Sequence, residues 1–180
     1  MSKALNLPNL LALFRIALAP LMLWFFIDRN NPIFSSWHPS WFDYFAGLIF
    51  VIASITDFFD GFIARNWNQM TKLGGILDPL ADKMLVLAGF IGLIVIDRAS
   101  AWAVFLILSR EFFITGLRVV AVSEGKDVAS TMAGKIKTVI QMIAIGFLIM
   151  NWPFATELLW LAVILTIYSG YEYTRDYFKN

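Results

Sequence analysis

Long apolar runs without any charged side chain alternate with short charged segments along the chain. A helix that crosses a membrane needs about 20 mostly apolar residues. Most of these runs are shorter, and each reaches that length only by including charged residues at one of its ends. The pattern predicts an all-α integral membrane protein with six spanning helices. The uncharged runs are Ile16–Ile27, Tyr44–Thr56, Met84–Ile96, Ala99–Ser109, Thr138–Thr156 and Leu158–Tyr171.

The charged ends alternate regularly from run to run. They lie at the start of the first, third and fifth runs and at the end of the second, fourth and sixth. In an up-and-down bundle, all of these ends fall on one side of the membrane. Of the 14 Lys and Arg residues, only Arg29 and Arg98 lie in the opposite connections. The positive-inside rule then predicts that the charged side and both termini are cytoplasmic. Links as short as "DRAS" predict a single domain over residues 1–180.

Composition agrees with a membrane protein and narrows the possible chemistry. Hydrophobic residues make up 59% and charged residues 15% of the chain, against about 25% charged in soluble domains. A net charge of +1 gives no indication of a nucleic-acid partner. The absence of cysteine excludes disulfides and thiolate sites, and a single histidine excludes a histidine-rich metal site.

Four aspartates and several glycines interrupt the apolar pattern between the second and third runs. Asp57 and Asp60 are three residues apart and share a helix face. The small residues Gly61 and Ala64 extend that face and allow a bulky group to approach the backbone. Arg65 follows them.

The second aspartate pair lies at the start of the next predicted helix. Asp78 and Asp82 are four residues apart. Pro79 directly after Asp78 predicts that this helix begins there, with Asp78 near the N-cap. Gly74 and Gly75 are expected to form the turn between the two helices. A short loop would then bring both carboxylate pairs to one place.

Crowded carboxylates repel one another, and the neighbouring cations are too few and too scattered to neutralise them. Divalent cations resolve this repulsion. Oxygen ligands without Cys or His favour Mg²⁺, Mn²⁺ or Ca²⁺ over zinc or copper. A carboxylate site large enough for two metal ions is suited to displacement at phosphorus.

The pattern Asp57-x-x-Asp60-Gly61-x-x-Ala64-Arg65, eight residues, Gly74, three residues, Asp78, three residues, Asp82 resembles the signature of the CDP-alcohol phosphotransferases. This family joins an alcohol to a CDP-linked donor and releases CMP. Three further segments, "NLPNLLALFR", "SREFFITGLR" and "GKIKT", resemble the bacterial branch that transfers a phosphatidyl group from CDP-diacylglycerol to glycerol 3-phosphate. Ala12 departs from that branch, which often carries threonine there.

The resemblance implies a role for each residue of the signature. Two Mg²⁺ (or Mn²⁺) ions are expected, and Asp82 is also the expected general base. The remaining positions are expected to bind the donor, although Arg15 has an alternative role as a structural partner for a carboxylate. The metal ligands are Asp57, Asp60, Asp78 and Asp82; the donor-binding residues are Asn9, Arg15, Gly61, Ala64, Arg65 and Gly74.

Cations of the fourth and fifth helices are expected to hold the phosphate of the acceptor. An anionic acceptor cannot lie among aspartates unless cations stand opposite them. Because successive helices alternate in direction, these cations are expected on the same side as the aspartates. Glu111 is expected to orient one arginine. The competing interpretation is that these cations only flank the helices on their cytoplasmic side, as the positive-inside rule describes. The acceptor-binding residues are Arg110, Arg118, Lys135 and Lys137.

The sequence thus favours an enzyme of the bacterial inner membrane whose active site faces the cytoplasm. Its expected partners are CDP-diacylglycerol, glycerol 3-phosphate, the product CMP and the lipid bilayer, and the family resemblance implies a homodimer. An alternative is the same chemistry with inositol phosphate or serine as acceptor. A divalent-cation or proton transporter is disfavoured because the carboxylates are confined to one side.

Overall fold

The fold is described from a computed structural model of the chain. It describes residues 6–66, 73–125 and 131–179, without the side chains of residue 30 and residues 58–66. Over these ranges the chain forms six α-helices and two short 3₁₀ helices, with no strand. The α-helices are α1 (Leu7–Ile27), α2 (Ser40–Asn66), α3 (Gly74–Val95), α4 (Ala101–Ser123), α5 (Met132–Met150) and α6 (Ala155–Lys179); the 3₁₀ helices, Asp28–Asn30 and Pro32–Phe34, follow α1.

The predicted all-α class is confirmed, and each apolar run falls mainly in a different helix. Each helix also continues through the charged residues at the end that the sequence indicated. Among the described residues, three helical segments are long and apolar enough to cross a membrane by length and composition. These are Leu7–Ile27, Ser40–Asp57 and Met132–Met150.

The helices fall into two compact units, residues 1–96 and residues 97–180. In the first unit, α1 packs against both α2 and α3, which make few contacts with each other. One face of α1 is therefore buried along its length. Its buried residues are Pro8, Asn9, Ala12, Arg15, Ala19, Met22 and Phe26.

The start of α3 differs from the prediction. The helix begins at Gly74, with Leu73 at the N-cap, so Asp78 lies in its second turn and Pro79 lies inside it. Gly74 and Gly75 form the first turn of α3 and are not a bend between helices. Pro79 removes the hydrogen bond from its own nitrogen to the carbonyl of residue 75, and α3 nevertheless runs through it. The Asp-Pro pair therefore does not fix where the helix begins.

In the second unit, α6 packs against both α4 and α5. The C-terminal end of α5 is closed by two polar features. Arg98 Nη1 donates a hydrogen bond of 2.6 Å to the carbonyl of Ile149, and Asn151 adopts the left-handed conformation with φ of 52°. Both features stabilise a helix C-terminus, where unpaired carbonyls carry partial negative charge.

Gly92 is the point at which α3 approaches α1 most tightly among the glycines whose surroundings are described. A Cβ atom at Gly92 would lie 2.1 Å from Phe26 Cδ2 and 2.9 Å from Phe26 Cβ. Because the Phe26 Cβ is itself too close, rotation of the ring does not relieve the clash. We expect Gly92→Ala to lower the free energy of unfolding by about 1–3 kcal/mol, measured by thermal unfolding in detergent.

Gly146→Ala is the matched control, since a Cβ atom at Gly146 meets nothing within 4 Å. If the two alanine variants unfold at the same temperature, the proposed tight contact between α1 and α3 is wrong.

Candidate active site

Arg15 lies at the centre of the polar residues of the first unit. It occupies a position on the buried face of α1 and is fully buried. Its Nη1 atom donates to the Asp57 carboxylate of α2, and its Nη2 atom lies 3.9 Å from Asp78 Oδ1 of α3. A buried charge is costly unless it is paired. Arg15 therefore joins one carboxylate from each of the two helices that pack on α1.

The two carboxylates reach the surface while the guanidinium does not. The side chains of Asp57 and Asp78 are 47% and 38% exposed. Asp78 Oδ1 is buried and has no hydrogen-bond partner among the described residues. Asp82 follows one turn later on α3 and is half-buried. Unsatisfied carboxylate oxygens of this kind fit a hard divalent cation, which takes oxygen ligands.

The rest of the predicted metal and donor set is described in part. The backbone of residues 60–65 is helical, so Asp57 and Asp60 share a face of α2 as predicted. The side chains of Asp60, Ala64 and Arg65 lie outside the described ones. Among the described residues, no three Asp, Glu, His or Cys side chains are placed to hold a metal ion. The four-aspartate metal site therefore stays a prediction.

Two predicted donor-binding positions lie at helix starts in the first unit. Asn9 is buried on α1, and its backbone N–H donates a hydrogen bond of 3.1 Å to the side chain of the N-cap residue Asn6. Gly74 is buried as the first residue of α3. Pro8 lies in the first turn of α1, where a proline removes no helical hydrogen bond.

Glu111 binds two of the predicted acceptor cations in the second unit. It accepts a hydrogen bond from Lys137 of α5 and one of 3.3 Å from Arg110 Nη1. The Lys137 side chain is buried, although a lysine is rarely buried without a charged partner. The sequence indicated that Glu111 orients an arginine, and the structure adds the lysine.

The other two predicted cations differ in their surroundings. Arg118 stacks over the ring of Tyr173 in α6, with Cζ 5.7 Å from the ring centroid. Lys135 is exposed on α5. Residues two apart on a helix point to different sides, so Lys135 does not share the direction of Lys137. The structure thus brings Arg110 and Lys137 together at Glu111.

Sequence reasoning missed Ser169 of α6. Its hydroxyl accepts a hydrogen bond of 2.9 Å from Arg110 Nη2. Ser169 lies within an apolar run beside Gly170, where a small polar residue gives little signal. A serine beside a glycine in an apolar helix most simply indicates close helix packing.

Two buried cations on apolar helices, Arg15 in the first unit and Lys137 in the second, define this chain as a membrane-type helical protein with paired charges in each unit. Its family follows from comparison with known proteins. A family model for CDP-alcohol phosphatidyltransferase matches residues 5–168. The chain belongs to this family.

Curated relatives match nearly the whole chain. A protein of Bacillus subtilis (strain 168) is 42% identical, and the match covers 93% of this chain and 93% of that one. A protein of Escherichia coli (strain K12) is 37% identical over 93% of this chain and 92% of its own. A protein of Shigella boydii serotype 4 (strain Sb227) matches to the same extent. All three are named CDP-diacylglycerol–glycerol-3-phosphate 3-phosphatidyltransferase.

The shared carboxylate of Glu111 generates a prediction about stability. Glu111→Gln removes the negative charge that Arg110 and Lys137 both contact in a mostly buried place. Removing one partner of a buried pair costs about 3–5 kcal/mol. We expect a loss of this size in the free energy of unfolding, measured by thermal unfolding of the purified protein.

Asp176→Asn is the control, because Asp176 pairs with Arg175 at the surface, with side chains 37% and 46% exposed. Exposed pairs contribute about 0–1 kcal/mol. Equal losses in the two variants would contradict a structural role for Glu111.

Proposed function

We propose that this chain is a CDP-diacylglycerol–glycerol-3-phosphate 3-phosphatidyltransferase. The observation that carries the proposal is the match to relatives of that name over 93% of the chain at 37–42% identity. The family match over residues 5–168 supports treating the chain as one catalytic domain. The substrates are CDP-diacylglycerol and glycerol 3-phosphate.

The reaction transfers the phosphatidyl group to the acceptor. The hydroxyl oxygen of glycerol 3-phosphate forms a bond to the β-phosphorus of the donor, and the phosphoanhydride bond to CMP breaks. The hydroxyl proton passes to Asp82, which acts as the general base. The products are phosphatidylglycerophosphate and CMP.

Asp57, Asp60, Asp78 and Asp82 hold two Mg²⁺ or Mn²⁺ ions in this proposal. The buried, unsatisfied Oδ1 atom of Asp78 supports it, because such an oxygen is suited to a hard cation. When bound, the ions neutralise negative charge on the donor phosphates. Arg15 pairs with Asp57 and orients its carboxylate.

The donor lies against the small residues of α2 and α3 in this proposal. Gly61, Ala64 and Gly74 leave room for the cytidine and pyrophosphate, and Arg65 pairs with a donor phosphate. Asn9 and Arg15 complete the donor site from α1. The full burial of Arg15 supports an indirect contribution through Asp57 and Asp78.

The acceptor phosphate binds to the cations of α4 and α5. The convergence of Arg110 and Lys137 on Glu111 supports this assignment for two of the four residues. Arg118 and Lys135 belong to the same proposed set. A planar guanidinium suits phosphate because it donates two parallel hydrogen bonds.

The membrane arrangement in this proposal is a six-helix bundle with both termini in the cytoplasm. The protein is a homodimer in the bacterial inner membrane, and its active site faces the cytoplasm, where the soluble acceptor is available. The three apolar spans and the bias of Lys and Arg support this arrangement.

An acceptor screen tests the function. Purified protein is incubated with CDP-diacylglycerol and Mg²⁺, and CMP release is measured with glycerol 3-phosphate, serine or inositol phosphate. We expect release with glycerol 3-phosphate and none in excess EDTA. Release with serine or inositol phosphate alone would overturn the acceptor assignment, and full turnover in EDTA would overturn the metal site.

Cysteine labelling tests the topology, since the chain has no cysteine of its own. Ser36 lies exposed in the link between α1 and α2, and Ser123 lies exposed at the end of α4. In intact cells, Ser36→Cys should react with a membrane-impermeant reagent, and Ser123→Cys should react only after lysis. The opposite result would place the active site outside the cytoplasm.

A further inference from the structure

The side chain of Arg110 lies on two consecutive residues of α6. Arg110 Nη2 donates a hydrogen bond of 2.9 Å to Ser169 Oγ, and Ser169 is fully buried. The neighbouring residue, Gly170, is buried directly against the arginine stem. One residue thus bonds the guanidinium while the next supports the aliphatic part of the same side chain.

The contact between Arg110 and Gly170 is possible because glycine has no side chain. A Cβ atom at this position would lie 3.0 Å from Arg110 Cγ and 3.2 Å from Arg110 Nε. These separations are shorter than ordinary van der Waals contacts between such atoms. Any larger residue would push the arginine stem away by a few tenths of an ångström or displace α6.

The hydroxyl of Ser169 is held in a defined orientation. Its own hydrogen points to the carbonyl of Thr166, with an oxygen–oxygen distance of 3.3 Å. A serine hydroxyl has one donor and two acceptor sites. With its donor directed into the helix backbone, Ser169 presents a lone pair to Arg110. Ser169 is thus an acceptor of defined direction for the guanidinium.

The guanidinium is therefore held at both terminal nitrogens. Nη1 lies 3.3 Å from Glu111 Oε1, and Nη2 lies 2.9 Å from Ser169 Oγ. Nε is buried and has no hydrogen-bond partner among the described residues. A guanidinium has five N–H donors, so donors remain after these two contacts. A guanidinium fixed at two points offers its remaining donors in one orientation.

We propose that Ser169 and Gly170 are positioning residues that set the guanidinium of Arg110 to bind the acceptor's phosphate. This inference rests on the proposed function, in which Arg110 contacts that phosphate. The two residues act through Arg110 and touch no substrate. They make acceptor affinity depend on α6, although the predicted acceptor cations lie on α4 and α5. Both follow the last residue of the family match.

Steady-state kinetics on the purified full chain test the proposal. Ser169→Ala removes the bond to Nη2, and Gly170→Ala shifts the arginine stem. Each should raise the KM for glycerol 3-phosphate about three- to tenfold, the effect of losing one ordinary hydrogen bond. The KM for CDP-diacylglycerol and the kcat at saturating acceptor should change less than about twofold. Inorganic phosphate, used as a competitor, should lose affinity by the same factor.

Two matched controls separate positioning from general damage. Gly146→Ala adds the same methyl group to a helix of the same unit, where it meets nothing within 4 Å. Thr174→Val removes a hydroxyl of α6 that donates a hydrogen bond of 2.8 Å to the backbone carbonyl of Gly170. Both controls should keep the wild-type KM for glycerol 3-phosphate.

A double-mutant cycle then tests the route through Arg110. In an Arg110→Ala background, Ser169→Ala should have no further effect on the KM for glycerol 3-phosphate, because its partner is gone. An undiminished effect there, or a wild-type KM in both Ser169→Ala and Gly170→Ala, would overturn the positioning role. If Arg110→Ala alone leaves this KM unchanged, the proposed acceptor site is wrong. If no CMP is released with glycerol 3-phosphate, the proposed function itself is wrong.

Discussion

The buried guanidinium of Arg15 is the constraint on which the first unit depends. A charge on the buried face of an apolar helix is tolerated only with a partner of opposite charge. Arg15 finds Asp57 on one neighbour of α1 and approaches Asp78 on the other. The same contact therefore fixes how three helices meet and which way two carboxylates face. In this unit, the packing of α1 and the placement of Asp57 and Asp78 thus depend on the same buried side chain.

The second unit also pairs its buried charges, but the signs of the charges are reversed. There, a single carboxylate, Glu111, binds Lys137 and Arg110, so two cations converge on one anion from two helices. α6 adds Ser169 as a neutral partner. Such a site keeps a net positive charge while every long side chain has a contact that limits its movement. This combination suits the binding of a small anion, because the cations are oriented before it arrives.

The sequence predicted the parts of the structure that depend on local pattern. Six helices and their charged ends follow from the alternation of apolar runs and charged segments. Contacts between residues far apart in the chain were not predictable in this way. Two roles stayed open for Arg15 because its partner Asp57 is 42 residues away. Ser169 gave no signal, since its partner Arg110 is 59 residues away on another helix. The start of α3 was misplaced because an Asp-Pro pair is compatible with both the first and the second turn of a helix.

The position of Pro79 inside α3 has a consequence for motion. Proline has no N–H, so the carbonyl of Gly75 loses the partner that an α-helix normally provides. The turn that carries Asp78 is therefore joined to the rest of α3 by one hydrogen bond fewer than the turn that carries Asp82. Local opening of a helix costs less where fewer such bonds must break. Asp78 and Asp82 are one turn apart, but the backbone that carries Asp78 is less stiff than the backbone that carries Asp82. Asp78, the carboxylate near Arg15, is therefore the one that can move more easily.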